Sequence, residues 1–322
     1  MKGIAAFAAT LLAMFAASAS RADTVFVSDE QADVVHVIDG DTGRVMGQIA
    51  TDARPRGMAV SPDGKTLYVA AGDADTIDAI DVDTHKIVRK LDSGTDPERF
   101  VVSPDGKRLY IANEDHSAVS FLDLSSGKIT NEVTVGPEPE GMAVSPDGKL
   151  VIATSETAST AHFIDAATGK LKDSVLVGTR PRAALFLKGG SELWVTSELR
   201  GLIAIFDAGT HKIVDRIDLV KLLPDLDPVQ AVELTITRDG KRVFVALGRG
   251  DHVAEINPAT HQVVRTFPVG HRNWGIALSP DETRLYAVAG LSGDMTIINL
   301  ETNKVERTVK LGGRPWGVVA VP

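Results

Sequence analysis

The sequence predicts an all-β protein: a seven-bladed β-propeller of four-stranded blades, its ring closed by N- and C-terminal strands that share one blade. Three observations predict it. "PRGMAVSPDGK" at 55 to 65 returns as "PERFVVSPDGK" at 97 to 107 and "PEGMAVSPDGK" at 139 to 149, a step of 42 residues. A second marker closes "VID"-like segments at Asp39, Asp81, Asp123, Asp165, Asp207, Asn257 and Asn299, keeping that step except for one of 50. The "SPDG"-type turns carry the same eight-residue excess between Leu187 and Thr237, so the two series belong to one repeat of propeller-blade size.

Each unit reads as four short strands. In the second they are "GMAVS", "TLYVAAG", "TIDAID" and "KIVRKL", separated by turns rich in Gly, Asp, Pro and Thr. The "SPDG" turns are structural: Pro presets one backbone angle, Asp accepts local hydrogen bonds and Gly takes a positive φ. The excess falls on "LVKLLPDLD" at 219 to 227, which suits a single helical turn. "TVFVSDE" near the start aligns with a second strand and "GRPWGVVAVP" at the end with a first strand, so together they complete a seventh blade and hide sheet edges.

The first 22 residues belong to no repeat. Lys2, an apolar run from Ile4 to Ala17 and the small residues of "ASASRA" form a secretory-signal pattern, with cleavage after Ala19 or Ala22. The expected organisation is therefore a signal over 1–22 and one propeller domain over 23–322, exported and with no membrane span. A monomer is expected. The chain has no Cys, and its net charge of −9 argues against nonspecific binding along nucleic acid or anionic membranes.

These segments resemble known proteins. "VIDGDTGRV", "RPRGMAVSPDGKTLYVA" and "PEGMAVSPDGKLVIATSET" are similar to the YVTN family of seven-bladed propellers, with "LYVAAG", "LYIANE" and "LWVTSE" standing for the eponymous segment. "RPRAALF", "VALG", "NWGIALSPDE" and "RPWGVV" further resemble the PQQ-dependent catabolism-associated β-propeller proteins, over the whole mature chain. That resemblance implies a periplasmic protein beside quinoprotein alcohol dehydrogenase systems, with a quinoprotein dehydrogenase or its electron acceptor as partner.

In a four-stranded propeller the loop leading into the first strand and the loop between strands two and three share one face. The lead-in loops place Arg272 with Trp274, Arg314 with Trp316, and Arg54 with Arg56 in consecutive blades, Asp96, Glu98, Glu138 and Glu140 in the next two, then Arg180 and Arg182. A mouth with a basic, aromatic arc facing an acidic one is expected, with His271 beside it. Guanidinium forks and indole faces suit a flat polyanion, and PQQ, a planar quinone with three carboxylates, fits as a non-covalent ligand. Alternatively, the Arg and Glu side chains pair across the rim and the Trp residues plug the channel.

Other chemistry is less favoured. The acidic arc with Glu114 and Asp115 offers hard oxygen ligands for Ca2+, without the spacing of an EF-hand. His85, His211 and His261 read as solvated turn residues, His36 and His162 as structural; His116, His252 and His271 lie near the mouth. "SETAST" at 155 to 160 has no nucleophile elbow. A non-enzymatic binding or accessory protein of a quinoprotein alcohol-oxidation pathway is the leading reading. The alternatives are a lactonase-like hydrolase, with His271 or Glu140 in its chemistry, and a scaffold subunit of a quinoprotein dehydrogenase complex lacking a haem-attachment motif.

Overall fold

A computed structural model describes residues 23–322; the expected secretory segment, 1–22, lies outside the described residues. Seven four-stranded antiparallel sheets are present. Blade 1 joins the C-terminal strand Pro315–Val321, innermost, to Thr24–Asp29, Val34–Asp39 and Val45–Ala50. Phe26 pairs with Val319 and Val27 with Val318, closing the ring as expected. Blade 2 runs Pro55–Val60, Thr66–Ala71, Thr76–Asp81 and Lys86–Asp92. The inner strands of blades 3 to 7 are Pro97–Val102, Pro139–Val144, Ala184–Leu187, Leu234–Ile236 and Asn273–Leu278.

The core lies between blades. Alternation along each strand gives a sheet two apolar faces, and each packs on a neighbour. One cluster joins Tyr68 and Ile77 of blade 2 to Phe100 and Leu109 of blade 3; another joins Tyr286 and Ile297 of blade 7 to Val25 and Val27 of blade 1. There are seven such clusters, one for every blade interface of a closed ring. An open stack of seven blades would have one fewer. Each fully buried Val, Leu or Phe contributes about 1.5–3 kcal/mol relative to exposure, so closure stabilises both ends of the chain.

Local chemistry fixes the turns. Ser61 Oγ donates to Asp63 Oδ1 at 2.6 Å and accepts the Thr66 N–H at 2.9 Å, while Gly64 holds φ +74°. The excess residues form one helical turn, Leu219–Leu222, capped by the Asp218 side chain on the Lys221 N–H.

The turn histidines depart from expectation. His211 stacks on Phe163 of the preceding blade at 4.3 Å between centroids, and His85 and His261 meet Phe26 and Trp194 edge-on. They are wedges between blades because the third-to-fourth-strand turn leans over the neighbouring sheet. His36 and His162 are buried as expected: His36 bridges Asp29 and Gln48, and His162 bridges Ser155 and Ser174. Burial pulls His162 down to about 4, keeping it neutral. Ser155 is fully buried beside it, out of reach of any substrate.

Candidate functional site

The mouth is built from two loops per blade, pinned together by the backbone. Arg54, Asp96, Glu138, Arg180 and Arg272 recur at the same point of their lead-in loops, all with φ between +51° and +64°. This left-handed conformation costs a side-chain-bearing residue about 1 kcal/mol or more. It turns each carbonyl toward the strand-two-to-three loop, where the N–H groups of Gly72, Glu114, Glu156, Glu198 and Gly290 respectively donate to it at 2.9–3.1 Å. Carboxylates of the preceding blade hold the other side: Asp33, Asp75 and Asp251 accept the N–H of Arg54, Asp96 and Arg272.

With the backbone fixed, the lead-in side chains reach sideways into neighbouring blades. Arg56 donates to Glu30 of blade 1 at 2.7 Å and to Glu98 of blade 3 at 2.5 Å; Arg54 donates to Glu98 at 2.8 Å, to Asp73 at 2.6 Å, and to Asp96. Arg182 pairs with Glu140 at 2.7 Å and with Glu156, both of blade 4, while Arg180 reaches Glu156 at 2.5 Å. Arg272 donates to Glu198 at 2.8 Å and to Gln230 at 2.6 Å. Arg99 crosses the channel from blade 3 to bond Glu233 of blade 6.

Two indoles fill the space between these ions. Trp274 and Trp316 stack with centroids 6.3 Å apart; Arg272 and Arg182 lie 3.9 Å and 4.9 Å from the Trp274 centroid, and Arg99 4.6 Å from that of Trp316. The basic and acidic arcs expected from the lead-in loops therefore interdigitate. Each guanidinium of Arg54, Arg56, Arg180, Arg182 and Arg272 is committed to carboxylates, and the alternative arrangement, rim pairs around a tryptophan plug, describes the geometry.

The layer has more carboxylates than guanidiniums. Six arginines (Arg54, Arg56, Arg99, Arg180, Arg182 and Arg272) face Glu30, Asp96, Glu98, Glu114, Glu140, Glu156, Glu198 and Glu233. The surplus appears as raised pKa values. Burial, the hydrogen bond to Glu98 and that group's charge push Glu114 up to about 8. Burial likewise pushes Glu140 up to about 8, against the pull of Arg182 and with the charges of Glu98 and Glu156 adding. Glu98 stays below its ordinary value: burial opposes ionisation, yet the charge and hydrogen bond of Arg56 outweigh it.

Several members of the layer escaped the sequence reading. Glu30, Gly72, Glu156, Glu198, Gly248 and Gly290 form, with the already noted Glu114, one series at the 42-residue step with its single excess, a signal the lead-in loops overshadowed. Glu30, Glu156 and Glu198 each meet an arginine, while Glu114 hydrogen-bonds Glu98. Gly stands where a bulky side chain needs the space: a Cβ on Gly290 would lie 2.8 Å from Trp274 Nε1, one on Gly248 2.9 Å from Gln230 Cβ, and one on Gly72 would overlap the Arg54 guanidinium. Arg99 and Glu233 hold equivalent positions of the repeat, one residue past the series of Arg56, Glu98, Glu140 and Arg182.

The remaining predicted residues lie at the outer crown. The Arg314 side chain is exposed with no ion-pair partner among the described residues, its N–H donating to Asp29. Glu138 accepts from Thr157 Oγ1. His271, 51% exposed, bonds Asp251 through Nδ1 at 2.8 Å; His252 Nδ1 lies 2.7 Å from the Gly250 carbonyl, and His116 is exposed. His271 and His252 thus have separate local partners. Asp96, Glu98 and Glu114 bring oxygens within 4.8 Å of one another, but Arg54 and Arg56 already neutralise them and Glu114 holds a proton at neutral pH. Asp115 is not part of that cluster.

Fold and mouth together define a seven-bladed propeller whose mouth face is closed by an ionic plug. Residues 3–116 match the model of the YNCE-like β-propeller family, and residues 77–184 that of the cytochrome D1 heme domain. The first match and the seven blades support a YVTN-type propeller. No curated protein matches by sequence. Among solved structures, hydrazine synthase of Kuenenia stuttgartiensis is similar at 21% identity and TM-score 0.76, covering 86% of this chain and 92% of that one. Dihydro-heme d1 dehydrogenase NirN in complex with DHE is similar at 14% identity and TM-score 0.70, covering 96% and 77%. A putative 6-phosphogluconolactonase from Bacteroides uniformis is similar at 17% identity and TM-score 0.74, covering 93% and 99%. At these identities the likeness shows the fold. Among the described residues no helix is long and apolar enough to cross a membrane.

Proposed function

We propose that this chain is an exported, non-enzymatic propeller that serves as a binding partner in a PQQ-dependent alcohol-oxidation system of the periplasm. The observation that carries the binding reading is the ionic plug. Its arginines and glutamates are paired with one another, and the Ser155–His162 contact is buried away from the mouth, so the mouth offers a rigid, preorganised surface and no activated nucleophile. The pathway and the location rest on the sequence resemblance and the signal pattern.

PQQ is the ligand to test at the crown. The exposed Arg314 guanidinium has no ion-pair partner among the described residues and lies in the loop whose Pro315 carbonyl approaches Gly290, beside the edge of Trp274: an uncommitted fork for a carboxylate of a flat tricarboxylate. The dihydro-heme d1 dehydrogenase in complex with DHE offers a fold-level parallel. Calorimetric titration of residues 23–322 with PQQ is expected to show saturable binding, weakened at least tenfold by Arg314→Ala, a change at an exposed side chain. No binding at high micromolar PQQ would remove the ligand and leave the crown as a protein-docking face.

One observation keeps a hydrolase in view: the exposed His271 is oriented by Asp251 through Nδ1 and so presents Nε2 outward. Turnover of a simple δ-lactone by the same preparation, abolished by His271→Ala, would replace the binding reading.

A further inference from the structure

The plug closes only the mouth end of the channel. Beneath it lies a cavity of about 540 Å3, bounded at one end by Arg99, Glu233 and Trp316 and at the other by Arg238, Ser279 and Glu282 on the face of the "SPDG" turns. Between these ends the lining side chains, carried by inner strands of six blades, are apolar apart from Thr235. A second lobe of about 420 Å3 shares Val60, Val101 and Met142 with the first and extends past Ala184 and Phe186 with no polar side chain in its lining. Both volumes fall in the range of small-molecule sites.

The charges in this channel cancel at each end. At the closed end Arg99 bonds Glu233 and stacks on Trp316. At the open end Arg238 lies 3.5 Å from Glu282, which also accepts the Arg238 N–H at 2.7 Å. A charged guest would break one of these pairs or sit unpaired against hydrocarbon, and either is costly. Thr235, half-buried in the inner strand of blade 6, places a hydroxyl in the lining near the Arg99–Glu233 end.

We propose that the channel below the plug binds an uncharged, elongated lipophilic molecule carrying a terminal hydroxyl or carbonyl, which enters from the "SPDG" face. Its chain lies along the valine, leucine and methionine wall. Its polar terminus meets the neutral Arg99–Glu233 pair and the Thr235 hydroxyl without disturbing the pair. This site is separate from the crown and does not depend on PQQ binding there.

The test is fluorescence titration of the signal-free protein with N-phenyl-1-naphthylamine, an uncharged apolar probe, followed by displacement with 1-decanol or with decanoate, which share a chain and differ in charge. Saturable enhancement is expected, with decanol displacing the probe at least tenfold more effectively than decanoate. Thr235→Trp, which fills the channel, and Thr235→Asp, which charges it, are each expected to weaken probe binding at least tenfold. A lack of saturable enhancement, or equal displacement by the two decyl compounds, overturns the proposal without recourse to variants. Unchanged probe binding in both folded variants overturns it as well.

Discussion

Replacing Glu114 by Gln tests the charge surplus directly. The Glu114 carboxyl donates to Glu98 in its protonated form, and Gln keeps a donor there while removing the titration. The folded chain holds the Glu114 proton up to about 8, whereas the unfolded chain releases it near the ordinary carboxyl value of 4.5. Between those values the native state binds the extra proton, so its stabilising effect is complete below about 4.5 and is lost as pH rises through about 8. At about 1.4 kcal/mol per pKa unit the ceiling is about 5 kcal/mol. Glu114 is only partly buried, and solvent screening lowers the expectation to about 2 kcal/mol. For a domain of this size that is about 4 °C in Tm. Thermal melts at pH 5 and pH 9 should therefore show the wild type losing about 4 °C more than Glu114→Gln across the interval. Parallel losses in the two proteins would refute a proton shared between Glu98 and Glu114.

Two further perturbations probe the plug and the closure. Arg182→Ala removes the buried guanidinium between Glu140 and Glu156, leaving Glu156 to Arg180 alone, and should cost about 3 kcal/mol in a denaturant melt, with part of the loss restored by adding Glu156→Gln. Deleting residues 315–322 removes the inner strand of blade 1 and bares the edge of Thr24–Asp29. Gel filtration should then show association, reversed by a synthetic peptide of the deleted strand.

The repeat made the ring legible because its signals are local. A 42-residue step, turn residues and strand alternation each act within one blade, and the complementary ends of the chain follow from the same register. The plug is different in kind. Arg56 chooses between blades 1 and 3, and Arg272 passes over blade 6 to reach Glu198, so the pairing depends on how far a side chain extends across a closed ring. Sequence spacing carries the blade but not that reach, which is why two opposed arcs were expected where the charges interleave. The turn histidines were misplaced for a similar reason: a turn residue exposed within its own blade is covered by Phe26, Phe163 or Trp194 of the blade before it.

The single break in the repeat explains why the plug spans the channel. Six blades lead in through a short loop, most with Pro followed by a charged or aromatic residue; the sixth carries the eight-residue excess, including the helical turn at Leu219–Leu222. Its longer approach sets Gln230 against Gly248, where the amide accepts from Arg272, and brings Glu233 to the position from which it meets Arg99. The other blades place Gly57, Arg99, Gly141, Ala183, Gly275 and Gly317 at the equivalent point of the repeat, so no other blade puts a carboxylate there. Glu233 instead draws Arg99 three blades across the axis, under Trp316, and so makes the floor that separates the ionic mouth from the apolar channel. In a near-symmetric ring, the one irregular blade divides the axis into two compartments with opposite chemistry, and each can then be occupied without the other.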